Sequence, residues 1–125
     1  MNTVIPVLRS FDQAKAEEFY FGFLGFVQDW QHRFEPALPL YQQISLDWQG
    51  QRLVLHLSEH HGDACPGAYV RLACADLPAF HQRLLDQQYG YARPGLETMP
   101  WGMREVRVQD PFGNRLVFFE ETESA

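Results

Sequence analysis

His56, Glu59, His60, His61 and Asp63 fall within one short stretch, "LHLSEHHGD". Their imidazoles and carboxylates are the donor types that zinc or nickel takes. However, His60 and His61 are adjacent in a polar loop and cannot readily aim at one ion, and no second cluster completes a shell, so the stretch reads as a solvated loop. His56 differs because it alternates with Val54 in a strand-like run, which fits either a cavity-lining imidazole or a hydrogen-bonded core histidine. Nucleophile chemistry is not in view: Ser10, Ser45 and Ser58 lack a G-x-S-x-G setting and Cys65 has no His/Asn relay. No G-x-G-x-x-G or P-loop cradles phosphate. Glu120 and Glu121 read as a charged strand end instead of an acid/base couple.

The remaining chemistry is aromatic. Ten Phe, five Tyr and three Trp stand among 125 residues, too many for a disordered chain, and a chain of this length can bury about two thirds of its unfolded surface. A formal charge of −6 disfavours nucleic acid and anionic membranes and makes a cationic ligand the easier guest. The two cysteines, Cys65 and Cys74, form neither a CxxC pair nor a disulfide pattern, as a reducing cytoplasm would have it. The opening "MNTVIPVLRSFD" lacks a basic region followed by an apolar run, and no stretch reaches the roughly 18 apolar residues of a membrane helix.

The elements that must position these groups repeat. "TVIPVLRSF" reads as a strand with Pro6 at an edge or bulge, and "DQAKAEEFYFGFLGF" as an amphipathic helix capped by Asp12 and stopped by Gly25. "FVQDWQHRF", "LYQQISLDW" and "RLVLHLSEH" read as a β-meander. The second half restates this β-α-β-β-β order, with the strand "GAYVRLACA", the helix "DLPAFHQRLLDQQYGY" capped by Asp76, and further strands ending in "NRLVFFEE". Asp12 matches Asp76, Gly25 matches Gly90 and Gln51 matches Asn114, at offsets of 63 to 65 residues, which argues for duplication. The expected class is α+β, a single domain over 1–125 made of unit one (about 1–62) and unit two (about 66–125), joined by the polar "HHGDACPG".

Two stretches carry a resemblance. "VIPVLRSFDQAKAEEFYFGFLGF" resembles the opening of the glyoxalase/bleomycin resistance/dioxygenase (vicinal oxygen chelate) superfamily, and "PWGMREVRVQDPFGNRLVFFEE" resembles the close of its bleomycin resistance branch. The resemblance implies tandem units whose mixed sheets curl into a cup around a ligand, in a homodimer whose first strand crosses to the partner; Pro6 matches a proline in that arm. It implies metal ligands at Ile5, Val54, Tyr69 and Val117; three of these cannot ligate and a neutral Tyr does so poorly, so neither a metal nor another cofactor is expected.

What remains for the groove is a set of rings. Trp30, His32 and Phe34 share one face of the second strand, as core packing or as a ligand wall; the resemblance places Trp30 and Phe34 against a drug, and Trp101 of Pro-Trp-Gly lines the same groove. His56, Tyr69, Met103 and Phe119 are further candidates on the cup's inner face. Glu105 and Asp47 are candidate counter-charges or plain surface charges. The expectation is a cytoplasmic homodimer that sequesters a bleomycin-type aromatic, cationic antibiotic without catalysis. The alternatives are a lyase, isomerase or thiol transferase with its metal moved to His56, and a small-molecule sensor.

Overall fold

The computed structural model of the protein describes residues 4–122, so Thr3 of the expected first strand and the outermost residues of both units lie outside the described residues. Two four-stranded sheets have the same plan. In the first, β1 (Val7–Arg9), β2 (Val27–His32), β3 (Tyr41–Trp48) and β4 (Gln51–Ser58) stand in the order β1-β4-β3-β2. In the second, β5 (Tyr69–Ala73), β6 (Leu96–Met99), β7 (Met103–Gln109) and β8 (Arg115–Glu121) stand in the order β5-β8-β7-β6. Each sheet is mixed: β1 runs parallel to β4 and β5 to β8, and the other neighbours are antiparallel. The expected β-α-β-β-β repeat is therefore present, with strands shorter than the apolar runs that announced them. β1 pairs with the chain's own β4 and leaves Pro6 just outside it, where the Pro6 carbonyl accepts the His56 N–H at 2.9 Å.

The first helix departs from expectation. Asp12 caps it as read, its carboxylate accepting the Lys15 N–H at 3.0 Å, but the α-helical turn α1 (Gln13–Ala16) widens into a π-wound segment, Glu17–Phe23, in which the Leu24 N–H reaches back five residues to Phe19. Phe19, Tyr20 and Phe23 of this segment are buried. Gly25 ends it at φ +92°, a handedness that demands glycine, and a Cβ there would also push aside the tip of Arg83, whose Nη2 would stand 1.5 Å away.

Helix α2 (Leu77–Asp86) corrects a second expectation. Asp76 stands at its N-cap with φ +49° and makes no side-chain capping bond. The carboxylate of Glu120 does that work from β8, accepting the N–H groups of Asp76 at 2.7 Å and Leu77 at 3.2 Å. Glu120 also takes Arg104 at 2.7 Å, so it is a structural anchor and not a loose charged strand end.

Leu8, Phe19, Phe26, Ile44 and Leu57 from the first half join Leu72, Phe80, Leu84, Val108 and Phe118 from the second in one buried cluster. Phe80 of α2 makes the join, with its ring 5.4 Å from Trp48 and 4.7 Å from Phe118. The Asp-Pro-Phe-Gly-Asn turn is a second join. Asp110 accepts the Tyr20 hydroxyl at 2.6 Å, and the Asn114 side-chain amide donates to the Arg9 carbonyl at 2.8 Å while its oxygen receives the Ala68 N–H. With one face of each sheet turned to this core, strand alternation leaves the other face of each open.

Candidate functional site

On the open face of the first sheet, register sets Trp30 opposite Gln43, Gln43 opposite His56, and His32 opposite Tyr41. A bulge between Gln28 and Trp30 lets Asp29 face the same way as Gln43 and Ser45. The side chains form a continuous hydrogen-bonded row. The Tyr41 hydroxyl lies 2.6 Å from His56 Nδ1, and His56 Nε2 lies 3.0 Å from the side-chain oxygen of Gln43. Gln43 donates to Asp29 at 3.0 Å, and Asp29 also takes the Ser45 hydroxyl and Arg52. Because the Gln43 oxygen can only accept, His56 carries its proton on Nε2 and receives the tyrosine at Nδ1. Burial pushes its pKa below the ordinary histidine value, which favours this neutral form. Asp29 is held below the usual carboxylate range, chiefly by its bond from Gln43.

Rings lie beside this row. Trp30 stacks parallel to Tyr41 with centroids 6.0 Å apart and meets His56 edge-on at 5.3 Å, while its own surface remains 44% exposed. Phe34 corrects the expected stripe: β2 ends at His32, and Phe34 stands past the strand, packed edge-on against His32 and largely exposed. Val54 offers no donor on this face and Ile5 is exposed. The histidine-rich loop does not assemble a donor set either. Glu59 accepts the Leu40 N–H, Asp63 accepts the Ser58 hydroxyl, both nitrogens of His56 are engaged, and among the described residues no group of three or more metal-ligating side chains converges.

The second sheet's open face is charged. Arg71 and Arg107 flank Val117, which is 1% exposed, and both bond the wholly buried carboxylate of Glu105, Arg71 to Oε2 at 2.9 Å and Arg107 to Oε1 at 3.0 Å. Burial opposes the charge on Glu105, but hydrogen bonds and charge from the two arginines prevail and hold its carboxyl below the usual range. The surface-charge reading of Glu105 is corrected by its burial, and its carboxylate is paired with two arginines. Phe119 lies 4.8 Å under the Arg71 guanidinium, and Arg115 lies 5.2 Å over the ring of Tyr69. Met103 is half-buried opposite Glu121, and Trp101 projects from the β6–β7 turn, 62% exposed.

Tyr41, Gln43, Asp29 and the arginines were missed in the sequence. Tyr41 and Gln43 were detectable, since they alternate against the apolar Ile44 and Leu46 in "LYQQISLDW". A cleft of about 510 Å³ lies away from both aromatic groups, lined by Lys15, Glu18, Tyr89, Tyr91 and the start of the Asp110 turn. It contains none of the expected ligand residues.

The family model for glyoxalase superfamily proteins matches residues 1–125. The chain belongs to the glyoxalase superfamily. Among solved structures, a bleomycin-binding protein complexed with bleomycin is 22% identical at a TM-score of 0.70, covering 97% of this chain and 99% of that one. A glyoxalase-related enzyme from Clostridium phytofermentans is 21% identical at 0.75, covering 97% and 95%. TnmS3, an antibiotic binding protein from Streptomyces sp. CB03234, is 22% identical at 0.68, covering 97% and 98%. These similarities establish the glyoxalase/bleomycin resistance fold that the terminal segments suggested. A search among curated proteins finds no match. No described helix is long and apolar enough to cross a membrane.

Proposed function

We propose that this superfamily member binds and sequesters a flat aromatic small molecule, a bleomycin-type antibiotic or a similar metabolite, without a metal and without converting it. The observation that carries the reading is Trp30, a half-exposed indole held in orientation by Tyr41 and His56 beside polar groups that are already bonded to one another. Such a surface can stack on a conjugated ring, at about 0.5–1.5 kcal/mol per pair beyond area burial. It offers no free general base, because His56 is held neutral with both nitrogens engaged. A metal-dependent lyase, isomerase or thiol transferase centred on His56 would have to break both bonds. Two relatives of this fold, one bleomycin-binding and one antibiotic-binding, support the ligand class. Glu105 has no charge to offer a cationic tail, whereas the exposed Asp47 on the first sheet does.

The reading includes a homodimer, which would set the exposed rings Trp30, Tyr69 and Trp101 against a partner's surface. Arm exchange through Pro6 would swap identical β1–β4 pairings between copies at little cost. It also places the protein in the cytoplasm. There the free thiol of Cys74, pushed up to about 12 by burial and then by the charges of Glu120 and Asp76, would stay unreactive.

The test is a tryptophan-fluorescence titration of EDTA-treated protein with metal-free bleomycin. Trp48 gives a constant background because its indole N–H is tied to the Ala75 carbonyl at 2.6 Å. Saturable quenching at low micromolar concentration is expected in the wild type, weakened in Trp101→Ala and lost in Trp30→Ala. No saturable change, or one that survives Trp30→Ala, would refute stacking on this face.

A further inference from the structure

Two guanidinium groups share one carboxylate at the centre of the second sheet's open face. Arg71 uses one N–H on Glu105 and Arg107 uses two, of the five that each carries. The pair carries one positive charge more than Glu105 balances, and Glu97, opposite Glu105 on the edge strand, offsets part of it through Arg107. Arg115 adds another from the adjacent row, exposed above Tyr69. The other acidic groups on this face are Glu97, beside Glu105 on the edge strand, and Glu121, opposite Met103 toward one end, both exposed. A chain of net charge −6 with only ten Lys and Arg has therefore gathered three arginines on one sheet face. Two of them are held in place: Arg71 by the ring of Phe119 and the carboxylate of Glu105, and Arg107 by the other oxygen of that carboxylate. Fixed guanidinium forks are suited to a planar or tetrahedral oxyanion, and the internal Glu105 shows the mode of recognition.

We propose that this face binds the oxyanion of a carboxylate- or phosphate-bearing aromatic molecule through Arg71, Arg107 and Arg115, with Tyr69 and Phe119 against its ring. The inference rests on the sequestration of an aromatic molecule and replaces the cationic tail of that reading with an anionic group.

Four naphthalene probes of one shape test this by calorimetric titration: 2-naphthoate, 2-naphthyl phosphate, neutral 2-methylnaphthalene and 2-naphthylmethylammonium. The anionic pair is expected to bind about tenfold or more tighter than the neutral probe, and the cation weakest, with the preference shrinking as salt is raised. Arg107→Gln leaves Glu105 its partner Arg71, and Arg115→Gln disturbs no buried group. Each should erase most of the preference with a native circular dichroism spectrum; the melting temperature should stay close to wild type in Arg115→Gln and fall in Arg107→Gln, which takes two of the three hydrogen bonds from the buried Glu105 carboxylate. Equal gains for carboxylate and phosphate mean general oxyanion recognition; a gain for one alone identifies the source. If the neutral probe binds as tightly as the anions, the inference falls; if Trp30→Ala also abolishes that binding, sequestration by stacking stands without it. If the anions bind through the arginines and Trp30→Ala changes nothing, the inference survives and stacking on Trp30 falls. Absence of binding by all four overturns the inference, while the bleomycin titration decides sequestration separately.

Discussion

Tyr20→Phe removes one oxygen from the interior and nothing else. The ring is wholly buried and keeps its edge-on contacts with Phe19 at 4.9 Å and Phe26 at 6.0 Å, so the phenylalanine fits the same space. The lost hydroxyl donates at 2.6 Å to Asp110 Oδ2. Asp110 is 4% exposed and also accepts the N–H groups of Phe112 and Asn114 and the Asn114 side-chain amide, so it keeps three of its four donors. Water cannot easily replace the fourth. A hydrogen bond to a charged group contributes roughly 1.5–3 kcal/mol, which for a chain of this length corresponds to about 6–12 °C in melting temperature. Urea denaturation should show that loss in the midpoint with an unchanged slope. Asp110→Asn should cost at least as much, because its amide would turn a donor toward other donors, and a double-mutant cycle should return a coupling of about 1 kcal/mol or more. Burial, reinforced by the nearby charge of Asp110 and their hydrogen bond, raises the Tyr20 pKa well above the ordinary tyrosine value, so alkaline titration should find a phenol that ionises only as the protein unfolds. A loss under about 0.5 kcal/mol, or strictly additive effects in the cycle, would refute the argument that this bond joins the two halves.

Glu120→Ala strips both the N-terminal cap of α2 and the partner of Arg104; a loss of about 1–3 kcal/mol is expected in thermal or urea melts, and a neutral result would mean water caps the helix equally well. Acid should act in two stages. His56 is depressed below 6.5, so the unfolded chain takes up that proton first, and stability present in full above 6.5 declines as pH falls toward the folded value. Glu105 is depressed below 4.5, so its contribution is intact above that pH and is lost below it. The urea midpoint against pH, in wild type and His56→Gln, checks the first stage: the wild type should begin to fall near 6.5 and the variant should not, and identical profiles would exclude His56 as the cause.

Repeats proved easy to see in the sequence because they rest on local signals: Asp12 before a helix, Gly25 after it, alternation within each strand, and one offset linking the halves. The open-face positions of Trp30, His56 and Phe119 followed from alternation alone. What escaped was set by partners distant along the chain. Nothing near Glu105 announces that Arg71, from another strand, would meet its carboxylate, and a glutamate among polar neighbours reads as surface until its β5 and β7 partners are known. Asp76 was expected to cap α2 on helix-start chemistry, but its left-handed backbone makes no side-chain bond, and a carboxylate 44 residues away took the role. Phe34 failed for the opposite reason: a period-two pattern was extended past a strand that stops at His32.

The Asp110 turn also has a kinetic meaning. Its bonds to Tyr20 and Arg9 close loops of 90 and 105 residues, among the most remote pairings in the chain. Contacts of such sequence separation are slow to form, because the intervening chain must be ordered before they repay its entropy. The turn is therefore a latch expected to close late, so that Tyr20→Phe should speed unfolding more than it slows refolding, as stopped-flow rates would show. Neither half, although similar to the other in plan, holds both sides of that latch, so a cut between them would leave each half without it.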